Sequence, residues 1–232
     1  MMGLTQIMEW GWLESPILLT NSHSVGKVHS GVITYMAKKY PDLGTDSDVV
    51  LPVVGETDDS FLNDLRVGTC SAQDAIRAIE AAAPGPVAQG SIGAGVGMMT
   101  CDFAGGIGTS SRTFRIAEGT YTVGVLVLSN FGKMRNLTVE GSVVGRGLDA
   151  LHAQDNRRTQ SEGSIIVAFS TANRTPRPAA TGDKFIRLKC ISDAHINDVY
   201  EAVIEATEES VLNAIFCSNY APASRCDQKA VA

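Results

Sequence analysis

Long basic runs are missing from this chain. Pairs such as Arg157-Arg158 are its densest positive stretches, and the formal net charge is −6. A polyanion partner needs a basic stripe to neutralise phosphates, so nucleic acid is excluded as a partner. Long apolar runs are missing too: nothing approaches the roughly 18 residues that span a bilayer. Residues 1–19 also lack the basic-then-apolar layout of a secretory signal. These two absences predict a cytoplasmic protein with no membrane partner. The five cysteines, Cys70, Cys101, Cys190, Cys217 and Cys226, include no CxxC pair and no histidine at metal-ligand spacing. They read as reduced and structural, with no metal site. The GxGxxG fingerprint fails because the residue three beyond Gly95 is Met98, and no GxxxxGK[ST] exists. Phosphate binding is therefore disfavoured.

What is present is apolar surface and glycine. Of 232 residues, 44% are hydrophobic but only 6% aromatic, and 23 are glycine. That supports a sizeable core of closely packed strands and tight turns rather than a helical bundle. The pattern predicts a strand over 16–21, a helix over 28–40 with Val32, Ile33, Met36 and Ala37 on its apolar face, and a buried strand over 48–54. Ser71 and Asp74 have the spacing of a helix N-terminus, with Ala75, Ile76, Ile79 and Ala82 behind them. Strands are expected over 121–129, 137–144, 165–169 and 184–191. A long helix over 196–217 is expected to bury Ile196, Val199, Val203, Ile204, Thr207, Val211 and Ile215. At 1.5 Å per residue it would be about 30 Å long, enough to cover a sheet. Residues 84–112 are the least ordinary stretch: Gly93, Gly95 and Gly97 alternate, which would leave one strand face bare for close approach of backbone or ligand. A bulge or hairpin without chemistry fits the same composition.

Few residues carry chemistry. Ser164 follows Gly163 where a polar segment, 154–163, meets the β-branched run Ile165-Ile166-Val167. A serine there becomes a nucleophile through a neighbouring base, or through its own α-amine once the chain is cut before it. Gly163 offers little steric hindrance to attack on its carbonyl. Gly-Ser before a strand is equally ordinary turn chemistry. Glu56, in the cluster Gly55-Glu56-Thr57-Asp58-Asp59, could receive a cationic group, although acids at a strand end also open turns. Asn130 ends an apolar strand and could donate to a developing oxyanion, while Asn before a glycine-containing turn is also a common turn signal. His23 and His29 could titrate near neutrality, and loop histidines more often simply hydrogen-bond.

Taken together, several stretches resemble one family. Residues 15–21, His23-Ser24-Val25-Gly26, Gly55-Glu56-Thr57 with Leu62-Asn63-Asp64, the run GPVAQGSIGAGVGMMTCDFAGGIGTSSR, YTVGVLVLSNFG, GSIIV, AFSTAN and EATEESVLNA are similar to L-aminopeptidase/D-esterases and β-peptidyl aminopeptidases, self-processing N-terminal serine hydrolases. The resemblance covers most of the chain in the family's order. It implies an α/β fold, an αββα sandwich resembling the Ntn-hydrolase architecture in truncated form, as a single domain over 1–232. It also implies self-cleavage between Gly163 and Ser164, giving an α chain of 1–163 and a β chain of 164–232. Ser164 would be the nucleophile with its own amine as base, Asn130 the oxyanion-hole residue, and Glu56 the carboxylate that binds the substrate's amino group. Substrates would be peptides, amides or esters with a free amino group, handled by a homo-oligomer without cofactor or metal. The resemblance has gaps. Family members carry a further N-terminal segment, and a long insert between GSIIV and AFSTAN that brings a basic amphipathic helix and a Ser-Gly-acid turn supporting the nucleophile. Here Val167 joins Ala168 directly. Asp58 stands where some members have an aromatic site residue. The alternative expectation is therefore a truncated, catalytically inactive homologue.

Overall fold

The computed structural model describes residues 1–45, 49–68, 70–151, 165–174, 185 and 187–218. Its first element is a short helix, α1 (Leu4–Trp10), bracketed by Gly3 at φ 78° and Gly11 at φ 71°. Both glycines take the left-handed conformation that ends helices cheaply. The sequence pattern predicts no element here, because seven residues are too few to show a period.

A parallel unit follows. β1 (Ile17–Asn21) leads through a 3₁₀ turn (Ser22–Ser24) into α2 (Val25–Lys39), which returns to β2 (Val53–Thr57) alongside β1. The register sets Thr20 beside Glu56 and Asn21 beside Thr57, so both strands end together. Met2 adds an antiparallel bridge to Val54. α2 buries Val28, Gly31, Val32 and Met36, whereas Ile33 is left 41% exposed. The apolar stripe is therefore rotated from the expected one, toward α3 (Ala72–Ala81). That second helix carries the predicted cap: the Ser71 hydroxyl accepts from the Asp74 N–H while the Asp74 carboxylate accepts from the Ser71 N–H at 2.7 Å. Val28, Val54 and Ala75 meet in one core cluster, and Val32, Met36 and Val50 in its neighbour.

The alternating glycines over 93–97 do not form a strand. Gly93–Gly95 form a 3₁₀ turn, and β3 (Met99–Thr100) and β4 (Phe103–Ala104) make a small hairpin. The long antiparallel pair comes next, β5 (Gly106–Ile116) with β6 (Gly119–Ser129). The expected strand over 137–144 is instead a tight hairpin, β7 (Thr138–Val139) and β8 (Ser142–Val143), turning at Glu140 and Gly141. It leads into α4 (Gly145–Leu151). Residues 165–169 form no strand; Ile166 is 79% and Phe169 62% exposed. An apolar run becomes a strand only where another strand accepts its backbone bonds, and none pairs with it among the described residues. The described residues over 187–191 form no strand either.

α5 (Ile196–Phe216) lies across β5 and β6, completing an α/β arrangement in which α2 covers β1 and β2, with α3 packed beside it, while α5 covers the β5–β6 pair. Its inward face is not the predicted one. Ala202, Ala206, Ser210 and Ala214 are buried at four-residue spacing, and Ile204 is 65% exposed. Backbone proximity explains the choice of small residues. A Cβ built on Gly108 of β5 would stand 1.8 Å from the Ser210 carbonyl oxygen and 2.7 Å from the Ala214 nitrogen. No rotamer relieves a clash with main chain, so Gly108→Ala must lift the helix. It should cost about 3 kcal/mol, at the upper end for overpacking, and lower Tm by about 10 °C in a chain of this size. Thermal denaturation of the variant checks this.

Polar groups fasten the same helix at its rim. Arg112 Nε donates to Glu205 Oε2 at 2.9 Å and Nη1 to Glu209 Oε2 at 2.5 Å, and the Ser110 hydroxyl donates to the same Glu209 oxygen at 2.6 Å. The Ser110 hydroxyl, then the Arg112 guanidinium, hold the Glu209 carboxyl below its usual range. A carboxyl lowered on folding stabilises above its unfolded pKa of about 4.3, and that contribution is lost as pH falls through the folded value. Melting curves of the wild type and of Glu209→Gln should thus be separated at neutral pH and begin to converge as pH falls below about 4.

Candidate active site

Two strand ends and one amide make the site. The parallel strands β1 and β2 stop at the same level, so Asn21, Ser22, Glu56 and Thr57 gather at one mouth. The Ser22 hydroxyl donates to Glu56 Oε2, and the Asn21 side-chain oxygen accepts from the Ser24 N–H at 3.0 Å. Glu56 is half-buried here, its carboxylate held by a neutral hydroxyl. An ammonium group could be received without first breaking an ion pair.

Beyond β2 the chain turns sharply. Asp58 Oδ1 accepts from the Ser60 N–H at 2.8 Å, and the Asp59 carbonyl accepts from the N–H groups of Leu62 and Asn63. The Asp59 side chain is 4% exposed. Its Oδ2 accepts from Asn63 Nδ2 at 2.7 Å and more weakly from Asn21 Nδ2 at 3.5 Å, while Oδ1 is buried without a hydrogen-bond partner among the described residues. The charge therefore lies under the mouth, braced by two amides from either side.

Asn130 reaches this mouth from the other sheet. It is the residue immediately after β6, 4% exposed, and its amide is fully oriented. Oδ1 accepts from the Met99 N–H at 2.9 Å, and Nδ2 donates to Thr57 Oγ1 at 3.0 Å and to the Asp58 carbonyl at 2.7 Å. Asn130 thus bonds to Thr57 and Asp58, the two residues that follow Glu56. Gly163 and Ser164 lie outside the described residues. His23 is exposed on the turn after β1 and His29 is half-buried in α2; among the described residues neither hydrogen-bonds to Glu56 or Asn130. Three participants escape a reading of the sequence alone: Ser22, Thr57 and the Asp58 carbonyl. For Ser22 a local signal exists, a polar pair directly after an apolar strand. For the others the contact spans about seventy residues and leaves no local trace.

No group of three or more His, Cys, Asp or Glu residues among those described could hold a metal ion, and no helix among them is long and apolar enough to cross a membrane.

Comparison with known proteins gives one consistent result. The sequence matches Peptidase family S58 over residues 1–167 and 150–226. It is 31% identical over 270 residues to beta-peptidyl aminopeptidase BapA of Sphingosinicella microcystinivorans, covering 94% of this chain and 67% of that protein. It is 34% identical over 178 residues to BapA of Sphingosinicella xenopeptidilytica, covering 73% of this chain and 44% of that one. The fold superposes with a TM-score of 0.85 on the L-aminopeptidase D-Ala-esterase/amidase of Ochrobactrum anthropi, described as a prototype serine aminopeptidase and a variant of the Ntn-hydrolase fold; identity is 29%, covering 97% of this chain and 72% of that one. The chain thus spans about half to two thirds of the curated relatives.

Proposed function

From the premise that this chain belongs to peptidase family S58, a family of aminopeptidase-type hydrolases, we propose that it removes the amino-terminal residue from peptides, amides or esters with a free amino group. In this reading Ser164 is the nucleophile. Its hydroxyl first attacks the Gly163 carbonyl, the amide becomes an ester, and water hydrolyses that ester to leave a Gly163 carboxylate and a free Ser164 amine. The neutral amine then takes the hydroxyl proton as the oxygen attacks the substrate carbonyl. The leaving amine or alcohol receives that proton, and water releases the acyl group.

Glu56 accepts the substrate's ammonium in the same reading, and Asn130 meets the developing oxyanion. Both Asn130 hydrogens are engaged at rest, so one acceptor must give way. The Thr57 side chain can turn about χ1 and withdraw its oxygen, whereas the Asp58 carbonyl is main chain; Thr57 is the exchangeable one. The observation that carries the reading is this Asn130 contact, which ties the end of β6 to the strand that bears Glu56. A homo-oligomeric, cytoplasmic enzyme without a cofactor belongs to the same proposal.

Aminoacyl p-nitroanilides test it. The purified protein should release p-nitroaniline from the free-amine substrate, with loss of at least about 10²-fold in kcat/KM on the N-acetylated analogue, since N-acetylation removes the charge Glu56 would bind. Equal rates on both would overturn the role of Glu56, and no release from either would overturn the activity. One observation favours a second reading, a catalytically silent homologue: residues 165–169, which follow Ser164, are exposed and unpaired rather than built into a sheet.

A further inference from the structure

Four consecutive residues of the β3–β4 hairpin each hydrogen-bond to the segment that carries Asn130. The Met99 N–H donates to Asn130 Oδ1 at 2.9 Å, and the Thr100 hydroxyl donates to the buried Ser129 hydroxyl at 2.7 Å. The Cys101 N–H donates to the Phe131 carbonyl at 2.8 Å, and Asp102 Oδ2 accepts from the Met134 N–H at 2.9 Å. The two turn residues between β3 and β4 are the unusual ones. Cys101 has φ 52° and Asp102 φ 63°, positive angles that side-chain-bearing residues rarely take, let alone in succession. Two such residues are what a type I′ hairpin turn demands, and Asn-Gly is its ordinary occupant. A turn that only had to close the hairpin would be better served by glycine at the second position. Retaining a carboxylate at a strained backbone position requires a compensating use of that side chain. One use of this carboxylate leaves the hairpin: it accepts from the Met134 N–H, at the far end of the loop that begins at Asn130.

The geometry points to Asp102 as a positioning residue, which from the strained β3–β4 turn pins the loop after β6 and so fixes the Asn130 amide at the ends of β1 and β2. The physical logic is a two-point hold. Met99 grips the amide itself, and Asp102 grips the chain four residues on, so that Asn130 cannot swing when one of its acceptors is exchanged for a substrate oxygen. A catalytic amide displaced by an ångström loses about 10²-fold in rate. Its relevance to catalysis rests on the role proposed above for Asn130. The hold itself does not.

Three variants of the full-length protein separate these layers. Asp102→Gly removes the carboxylate and also relieves the backbone strain, so its melting temperature should stay within about 3 °C of wild type. Asp102→Asn keeps an acceptor and tolerates positive φ. Ala117→Gly relieves a comparable angle, φ 50°, in the distant β5–β6 turn and serves as control. Hydrogen exchange read by mass spectrometry over residues 129–136 should be about tenfold faster in Asp102→Gly, and unchanged in Asp102→Asn and Ala117→Gly. For p-nitroanilide turnover, kcat should fall about tenfold or more in Asp102→Gly with KM within about twofold, and Asp102→Asn should restore it. Unchanged exchange in Asp102→Gly overturns the hold, and faster exchange with unchanged kcat overturns its service to the reaction. If the wild type itself turns over nothing, the proposed activity fails on its own, and the exchange comparison still decides whether Asp102 pins the loop.

Discussion

Ser164→Ala is expected to yield an uncut chain with no measurable turnover, a loss of at least about 10⁴-fold in kcat as for other removed nucleophiles. One oxygen is asked to do both tasks. In the proposed reaction it attacks Gly163 to free the amino terminus, then attacks the substrate with that terminus as its base. Alanine removes the hydroxyl from both steps at once, and the uncut amide leaves no amine to act as base. Ser164→Cys separates them, because a thiol remains nucleophilic: some cleavage should persist while turnover of amides falls. Cleavage and turnover are read on the same sample, by gel and by p-nitroaniline release. An Ala variant that still splits at 163/164 would place the attacking group elsewhere.

Asn130→Asp is expected to have the second largest effect, a fall of about 10²–10³-fold in kcat, the usual range for a lost oxyanion donor. The substitution is isosteric and keeps an oxygen for the Met99 N–H, but a carboxylate now faces the Asp58 carbonyl where an amide donated at 2.7 Å. Two acceptors without a hydrogen between them repel, and Glu56 and Asp59 already place negative charge nearby. The fold should lose about 2–3 kcal/mol with it, the cost of a buried hydrogen bond broken at one partner. Parallel measurement of Tm and of kcat and KM separates the two losses. A variant as stable as wild type with an intact kcat would remove Asn130 from the reaction.

Parts of this molecule can be read directly from the residues. The Ser71/Asp74 cap and the apolar run of β6 are local signals, and local signals survive folding because they are set by residues close together in the chain. α5 was legible as a helix but not in its orientation. Size is normally a guide to burial, yet Gly108 lets two backbones approach so closely that only Ala202, Ala206, Ser210 and Ala214 fit, and larger apolar residues face outward. The alternating glycines misled only in part: backbones do approach closely at Gly95, where a Cβ would stand 2.6 Å from the Gly90 carbonyl oxygen, as they do at Gly106 and Gly108, but Gly93–Gly95 form a turn and not a strand. For the site, Glu56 and Asn130 announced themselves as polar residues ending apolar strands. That the Asn130 amide would bond to Thr57 and Asp58 could not be read, since it depends on how two sheets are placed relative to each other.

Self-cleavage is the claim on which the proposed activity stands. Intact mass spectrometry of the freshly purified protein tests it most directly. The account predicts two polypeptides, residues 1–163 and 164–232, the second beginning with a free serine; a single unbroken chain of 232 residues would contradict it.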